Sequence, residues 1–361
     1  MSAPLLKDLL DLPLLQRLAA SIQQQHAAFD PTRFIHSLWD AQYAEQGLKQ
    51  RVRRIATTLY HQLDLPFADI CTLLQPVSTE ITGLPGFIFP DIVEQFGLDD
   101  FPTSMQALAH FTCYSTAEFA IRPFFRVYPA QSLQQLQIWS QSANVHHRRL
   151  ASEGCRPRLP WGQALPQFIA DPTPIIPVLQ ALKQDPEDYV RRSVANNLND
   201  ISKDHPALVL QLAQQWHGAH VHTDWILKHA LRGLLKQRNS AALALFDCAP
   251  RQLTNATLSL QQPVLNYGET LQFNAALTLA DGPSPLRVEY AIDFASKNGA
   301  KRHKVFQWIQ REHGPGLLSL QKSYRFADLT TRKHYAGAHQ LHLIVNGEIV
   351  VTQQFDLIRD N

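Results

Sequence analysis

Residues 185–198 read Asp185-Pro186-Glu187-Asp188-Tyr189-Val190-Arg191-Arg192-Ser193-Val194-Ala195-Asn196-Asn197-Leu198. Val190, Val194 and Leu198 recur at helical spacing; Asp185 can cap the helix, Pro186 suits its first turn, and the acidic residues favour its N-terminus. The pattern returns 36 residues on: Tyr189-Val190 aligns with Trp225-Ile226, Val194-Ala195 with Ala230-Leu231, and Leu198 with Leu234. Earlier in the chain, residues 47–60 put Leu48, Val52, Ile55, Ala56 and Leu59 on one helix face and Arg51, Arg53 and Arg54 largely on the others. Helix pairs repeating every ~35–45 residues are the mark of HEAT-like repeats, in which each pair buries its apolar face only against the next. Residues 1–252 are therefore expected to form an all-α HEAT-like repeat solenoid. The repeat is degenerate, and a non-repetitive helical bundle is the competing arrangement.

Beyond Pro250–Thr254 the period changes from helical to alternating. Leu258-Ser259-Leu260, Leu271 to Leu277, Val288 to Ile292, Gln340 to Val345 and Ile349 to Thr352 alternate, with turn signals at Asn266-Tyr267-Gly268, Asp281-Gly282-Pro283 and Asn346-Gly347. Asn-Gly between two alternating runs marks a tight hairpin. About seven short strands in this length suggest an all-β immunoglobulin-like sandwich over residues 255–361.

The chain has 361 residues, 45% hydrophobic and 18% charged, with a formal charge of +2. That length suits two domains with a substantial core and excludes an intrinsically disordered chain. The charge is uneven. Residues 1–143 carry 9 Lys+Arg against 13 Asp+Glu, whereas residues 144–250 and 251–361 each carry 12 against 9. A near-neutral total thus leaves room for a local basic face. Cys71, Cys113, Cys155 and Cys248 form no C-x-x-C pair, which argues against a zinc ribbon or disulfide scaffold and for a reducing cytoplasm. No signal peptide or membrane span is expected.

Phosphate-loop, dinucleotide, serine-hydrolase and zincin motifs are missing. His217, His220 and His222 form H-x-x-H-x-H, but no cysteine or carboxylate pattern completes a metal site, so a solvated loop is the better reading and no metal or cofactor is expected. The unusual stretch runs from Asn144 to Trp161, where Arg148, Arg149, Arg156 and Arg158 surround Glu153 and Trp161 follows on a proline-broken loop. Arginine binds phosphate bidentately, and tryptophan can stack on a base or pack on a sugar. Glu118, among apolar and aromatic neighbours, and Asp200 each read singly as a cap or salt-bridge partner. Gathered with arginines on one face, they could stabilise a cationic sugar.

At these residues the sequence resembles the DNA alkylation repair glycosylases with HEAT-like repeats, the AlkC/AlkD family, and is most similar to the AlkC branch. The matching blocks are Phe89 to Gly97, Ser115 to Pro123, Val145 to Trp161, Val190 to Pro206 and Trp225 to Arg232. Val288 to Phe294 and Asp328 to Tyr335 resemble the immunoglobulin-like domain of one AlkC subgroup. The resemblance implies a cofactor-free, monomeric, monofunctional glycosylase of duplex DNA that removes cationic alkylated bases of the 3-methyladenine type, with 3-methylcytosine a further candidate, without extruding them into a deep pocket. It implies Glu118, Glu153 and Asp200 as active-site acids, Arg148 or Arg149 reaching into the DNA, and Trp161 near the lesion. Further DNA contacts are expected from Arg156, Arg158, Arg191, Arg192, Lys203, Trp225, Lys228 and Arg232.

No lysine in these blocks is obviously placed as an amine nucleophile, so no β-lyase activity is expected. In the β domain, the basic turns Lys297–Lys304 and Thr331–His334, with Lys301, Arg302, Arg332 and Lys333, are expected to complete the DNA grip. The alternative to an enzyme is a non-catalytic HEAT-repeat DNA-binding or scaffold protein, because such solenoids more often serve as interaction surfaces.

Overall fold

The computed structural model describes residues 5–248, 250–280, 282–296, 299, 301–328 and 332–359. Among them the chain forms seventeen α-helices and then eight strands, with the change from helix to strand at Leu253. By packing it divides into two compact units, Met1–Asp204 with Gly218–Ala230, and His205–His217 with Leu231–Asn361. None of the described helices is long and apolar enough to cross a membrane.

In the first unit the helix Leu48–Leu63 buries Val52, Ile55, Ala56, Leu59 and Leu63, the face read from its spacing. Arg51 departs from that reading. It is buried too, because its guanidinium donates to the carbonyls of Tyr43, Lys7 and Ala44 at 2.9–3.1 Å. The helix Val145–Gly154 packs on Pro129–Ser140 and on Asp188–Ile201, which in turn packs on Val221–Ala230. The helix expected from Asp185 begins at Asp188 with Glu187 at its N-cap. Asp185 instead turns the chain before the helix: its carboxylate accepts from the Glu187 amide at 3.0 Å and from Arg148 at 2.6 Å.

In the second unit the strands are β1 (Leu253–Leu260), β2 (Val264–Asn266), β3 (Thr270–Leu279), β4 (Ser284–Phe294), β5 (Arg302–His313), β6 (Gly316–Arg325), β7 (Gly337–Val345) and β8 (Glu348–Ile358). They form a three-stranded sheet, β1-β3-β6, and a five-stranded sheet, β2-β8-β7-β4-β5. Alternate residues such as Phe273, Leu277, Tyr290, Ile292, Leu343 and Phe355 meet in one core, as the period-2 pleat requires. Eight strands stand where about seven are expected for such a sandwich. Asn346 and Gly347 both take positive φ, +44° and +88°, the geometry of a two-residue hairpin turn. The expected turn residue Asp281 lies outside the described residues.

Candidate active site

Two helices and one turn assemble the three candidate acids. Arg149 and Glu153 lie one helical turn apart on Val145–Gly154, Asp200 closes the helix Asp188–Ile201, and Glu118 stands on the turn that precedes the helix Phe124–Val127. The helices are joined in their interior: Ser152 Oγ donates to Ser193 Oγ at 2.6 Å, and Asn197 Nδ2 donates to the Ser152 carbonyl at 2.8 Å. The turn approaches Val145–Gly154 closely because that helix ends in glycine. A Cβ on Gly154 would lie 2.7 Å from Ile121 Cγ2. Buried Arg122 then clamps the turn, donating to the Gly154 carbonyl at 2.9 Å and the Gln163 carbonyl at 2.6 Å; burial pulls its pKa down to about 10.

The acids and bases alternate in one string. Glu118 accepts from Arg149 and, at 2.6 Å, from Thr116 Oγ1. Arg149 lies 3.6 Å from Glu153, Arg156 donates to Glu153 at 2.7 Å and to Asp200 at 2.9 Å, and Lys203 Nζ reaches Asp200 at 2.8 Å. Burial works against the charges of Arg149 and Arg156, but their carboxylate neighbours outweigh it and hold both guanidinium pKa values above the usual one. Among the described residues, every hydrogen bond and ion pair to Glu118 falls on Oε2, and every one to Glu153 falls on Oε1. Among the described residues, the second oxygen of each carboxylate takes no hydrogen bond. Two nearly buried acids, bridged by one arginine, thus each keep a free acceptor atom beside fixed positive charge.

The remaining expected site residues divide by place. Arg148 is turned away from the string; besides Asp185 it binds the carbonyls of Ser142 and Ala143 at 3.0 and 2.9 Å. Arg158 pairs with Asp204 at 2.8 Å and Arg192 with Asp188 at 2.7 Å, both on the surface. Arg191 binds the Asp185 and Pro186 carbonyls and lies 5.9 Å from the ring centre of Trp225, which stacks on His229. Lys228 is exposed, and Arg232 lies half-buried in the second unit. In the sandwich Lys301 binds Gln340, Arg302 and Lys333 are exposed, and Arg332 binds the Tyr324 hydroxyl. Lys297, Asn298, Ala300 and Leu329–Thr331 of the expected basic and matching segments lie outside the described residues. Cys155 is buried, and burial pushes its thiol up to about 12, which suits an inert core residue.

Several side chains beside the string were not singled out in the sequence. Tyr189 covers Arg149, with the guanidinium carbon 5.2 Å from the ring centre, yet stays 44% exposed. Its sequence signal is an aromatic residue in the first turn of an arginine-bearing helix. Lys49 Nζ lies 4.5 Å from the Phe119 ring centre and donates to the Trp161 carbonyl at 2.8 Å. Trp161 itself holds φ at +63°, a left-handed conformation rare for a bulky residue, with its side chain largely exposed. Behind Thr116 and Phe119 a small cavity of about 20 Å³, room for roughly one water, is lined by Lys49, Asp91 and Glu94. Arg53 pairs with both acids, at 3.0 and 2.7 Å, yet burial pushes the Asp91 carboxyl up to about 7.

Residues 48–234 match the model of the DNA alkylation repair enzyme family, and residues 254–359 match a C-terminal Ig-like domain described for the uncharacterised protein YhaZ. The Bacillus subtilis protein YhaZ, itself uncharacterized, is 42% identical over 359 residues, 98% of this chain and 99% of that protein. The structure of the Pseudomonas fluorescens alkylpurine DNA glycosylase AlkC, bound to DNA containing an abasic site analog, superposes with a TM-score of 0.94. It is 38% identical and is covered completely by 98% of this chain.

Proposed function

Because the chain belongs to the DNA alkylation repair enzyme family, we propose that it is a monofunctional DNA glycosylase. Its substrates would be cationic alkylated bases in duplex DNA, of the 3-methyladenine type first and 3-methylcytosine next. The likeness to a DNA-bound alkylpurine glycosylase along the whole chain supports this reading. The observation that carries it is the pair of free carboxylate oxygens on Glu118 and Glu153, joined through Arg149.

The chemistry follows from charge. A base that already bears a positive charge leaves readily, so no strong general acid is needed. As the glycosidic bond breaks, the sugar gains oxocarbenium character, and fixed anions beside it lower the barrier. In this reading the free oxygens of Glu118 and Glu153 face that developing charge, one of them orienting the attacking water. Asp200, held on both oxygens by Arg156 and Lys203, sets the field and the position of its neighbours. The arginines offset the repulsion between these acids and DNA phosphates. The base is read from its exposed edge, without the deep pocket that base extrusion needs.

Trp161, Arg158, Arg192, Lys228, Lys301 and Arg302 supply DNA contact. Removing residues 255–361 would also strip the packing of His205–His217 and Leu231–Cys248, which belong to the same compact unit. Charge reversal at Lys301 and Arg302 is therefore the cleaner probe of the β domain, and it should flatten the salt dependence of DNA binding. Single-turnover incubation with duplexes carrying one defined methylated base tests the whole reading. Release of the free base supports it; tight, salt-dependent binding without release would instead support the non-catalytic scaffold.

A further inference from the structure

The sandwich carries a cluster that the base-release chemistry does not use. Asp293 on β4 lies opposite His303 on β5 in the antiparallel register, while His342 on β7 lies opposite Ala291, two residues from Asp293 and so on the same face. Three adjacent strands thus deliver two imidazoles and a carboxylate to one spot. His303 Nδ1 lies 2.6 Å from Asp293 Oδ1, and His342 Nε2 lies 3.0 Å from Oδ2. The three donor atoms fall within 4.8 Å of one another, and no other group of three histidine, cysteine or carboxylate side chains among the described residues converges in this way.

A second observation concerns the far side of His342. Its Nδ1 lies 2.8 Å from Thr352 Oγ1 on β8, so the ring is oriented by a partner outside the cluster, as metal-ligating histidines usually are. We propose that Asp293, His303 and His342 form a divalent transition-metal site of the zinc class, with Thr352 orienting His342.

Two nitrogens and one carboxylate oxygen suit a borderline cation and disfavour magnesium and calcium, which prefer all-oxygen shells. The site is reached from solvent on the His303 side, where the side chain is 42% exposed, so water can complete the shell. Binding requires proton-free His303 Nδ1 and His342 Nε2 and a small opening of the 2.6 Å His303–Asp293 contact. In the metal-free protein His303 Nδ1 and His342 Nε2 both lie within hydrogen-bond distance of the Asp293 carboxylate. With a metal bound, His303 would carry its proton on Nε2 and His342 on Nδ1, where it donates to the Thr352 hydroxyl. The cation would staple β4, β5 and β7. The proposal is independent of the base-release reading, and either stands if the other fails.

The test is competition for Zn²⁺ between chelator-treated, dialysed full-length protein and a chromogenic zinc indicator. One equivalent held with micromolar or tighter affinity is expected, weakened at least 100-fold in the His303→Gln/His342→Gln double variant and ~10-fold in Thr352→Val. The His220→Ala/His222→Ala variant should bind as the wild type does. Zn²⁺ should also raise the Tm of the wild type and of His220→Ala/His222→Ala, but not of the His303→Gln/His342→Gln variant, which separates ligand loss from misfolding. Absence of micromolar binding, equal binding by the His303→Gln/His342→Gln variant, or loss of binding in His220→Ala/His222→Ala would overturn the assignment.

Discussion

Arg156 donates from Nε to Asp200 Oδ2 at 2.9 Å, and its Nη1 reaches Glu153 at 2.7 Å. One buried guanidinium thus links the ends of two helices and two of the three candidate acids. Arg156→Ala would leave both carboxylates underpaired. Breaking a buried ion pair costs about 3–5 kcal/mol, and because Arg149 and Lys203 remain beside the acids, roughly 2–3 kcal/mol is expected here. Urea unfolding measures the loss, and base release should fall with it. Arg156→Lys, whose single ammonium cannot span both partners, should recover stability in part but little activity.

Asp91 gives a pH signature. Its folded pKa of about 7 lies above the ordinary 3.8, so between these values the native state holds a proton that the unfolded chain has released. Its contribution is therefore fully present below pH 4 and is lost as pH rises through 7, with a slope of about 1.4 kcal/mol per pH unit inside the window. Asp91→Asn, which mimics the protonated form, should remove this slope. The stability difference between variant and wild type, followed from pH 4 to 8, should grow in the variant's favour as pH rises.

The helical register and the strand alternation were legible because both rest on burial. Val52, Ile55 and Leu59 face a core, and β3 alternates buried with less buried residues. The Asn346-Gly347 turn was legible because two adjacent residues at positive φ need that chemistry. What stayed hidden depends on contacts distant in sequence. Nothing in the run of arginines says that Arg148 turns to Asp185 while Arg149 turns to Glu118. Helix phase separates them, and their partners lie more than thirty residues away. Lys49 meets Trp161 across 112 residues. Asp293, His303 and His342 are brought together by sheet register, which no local motif encodes.

Trp161, proposed above as a DNA contact, sits in strained backbone with φ at +63°. A left-handed conformation costs a bulky residue about 1–2 kcal/mol, whereas asparagine tolerates it. Trp161→Asn should therefore keep or raise stability by roughly 0.5–1 kcal/mol while weakening binding to lesion-bearing duplex. Lys49→Met, which removes the amine that holds the Trp161 carbonyl, should weaken the same binding with little change in Tm. Thermal melts and fluorescence-anisotropy titrations of both variants separate the two effects.

Lys203 is an amine 2.8 Å from a candidate catalytic acid. Its Nζ donates to Asp200 Oδ1, so the amine is engaged by the carboxylate and is not free to attack a sugar carbon. Borohydride treatment during turnover should accordingly trap no covalent protein–DNA adduct. An adduct lost in Lys203→Met would replace the monofunctional assignment with a lyase.

The most direct measurement compares wild type with Glu153→Gln in single-turnover release of 3-methyladenine from alkylated duplex DNA, with DNA affinity measured in parallel. The amide keeps the shape of Glu153 and its position beside Arg149 and Arg156 but removes the negative charge. The account predicts release slowed by about 10²-fold or more, the size of effect typical of lost electrostatic stabilisation, with DNA binding retained. Release at the wild-type rate by Glu153→Gln would contradict it.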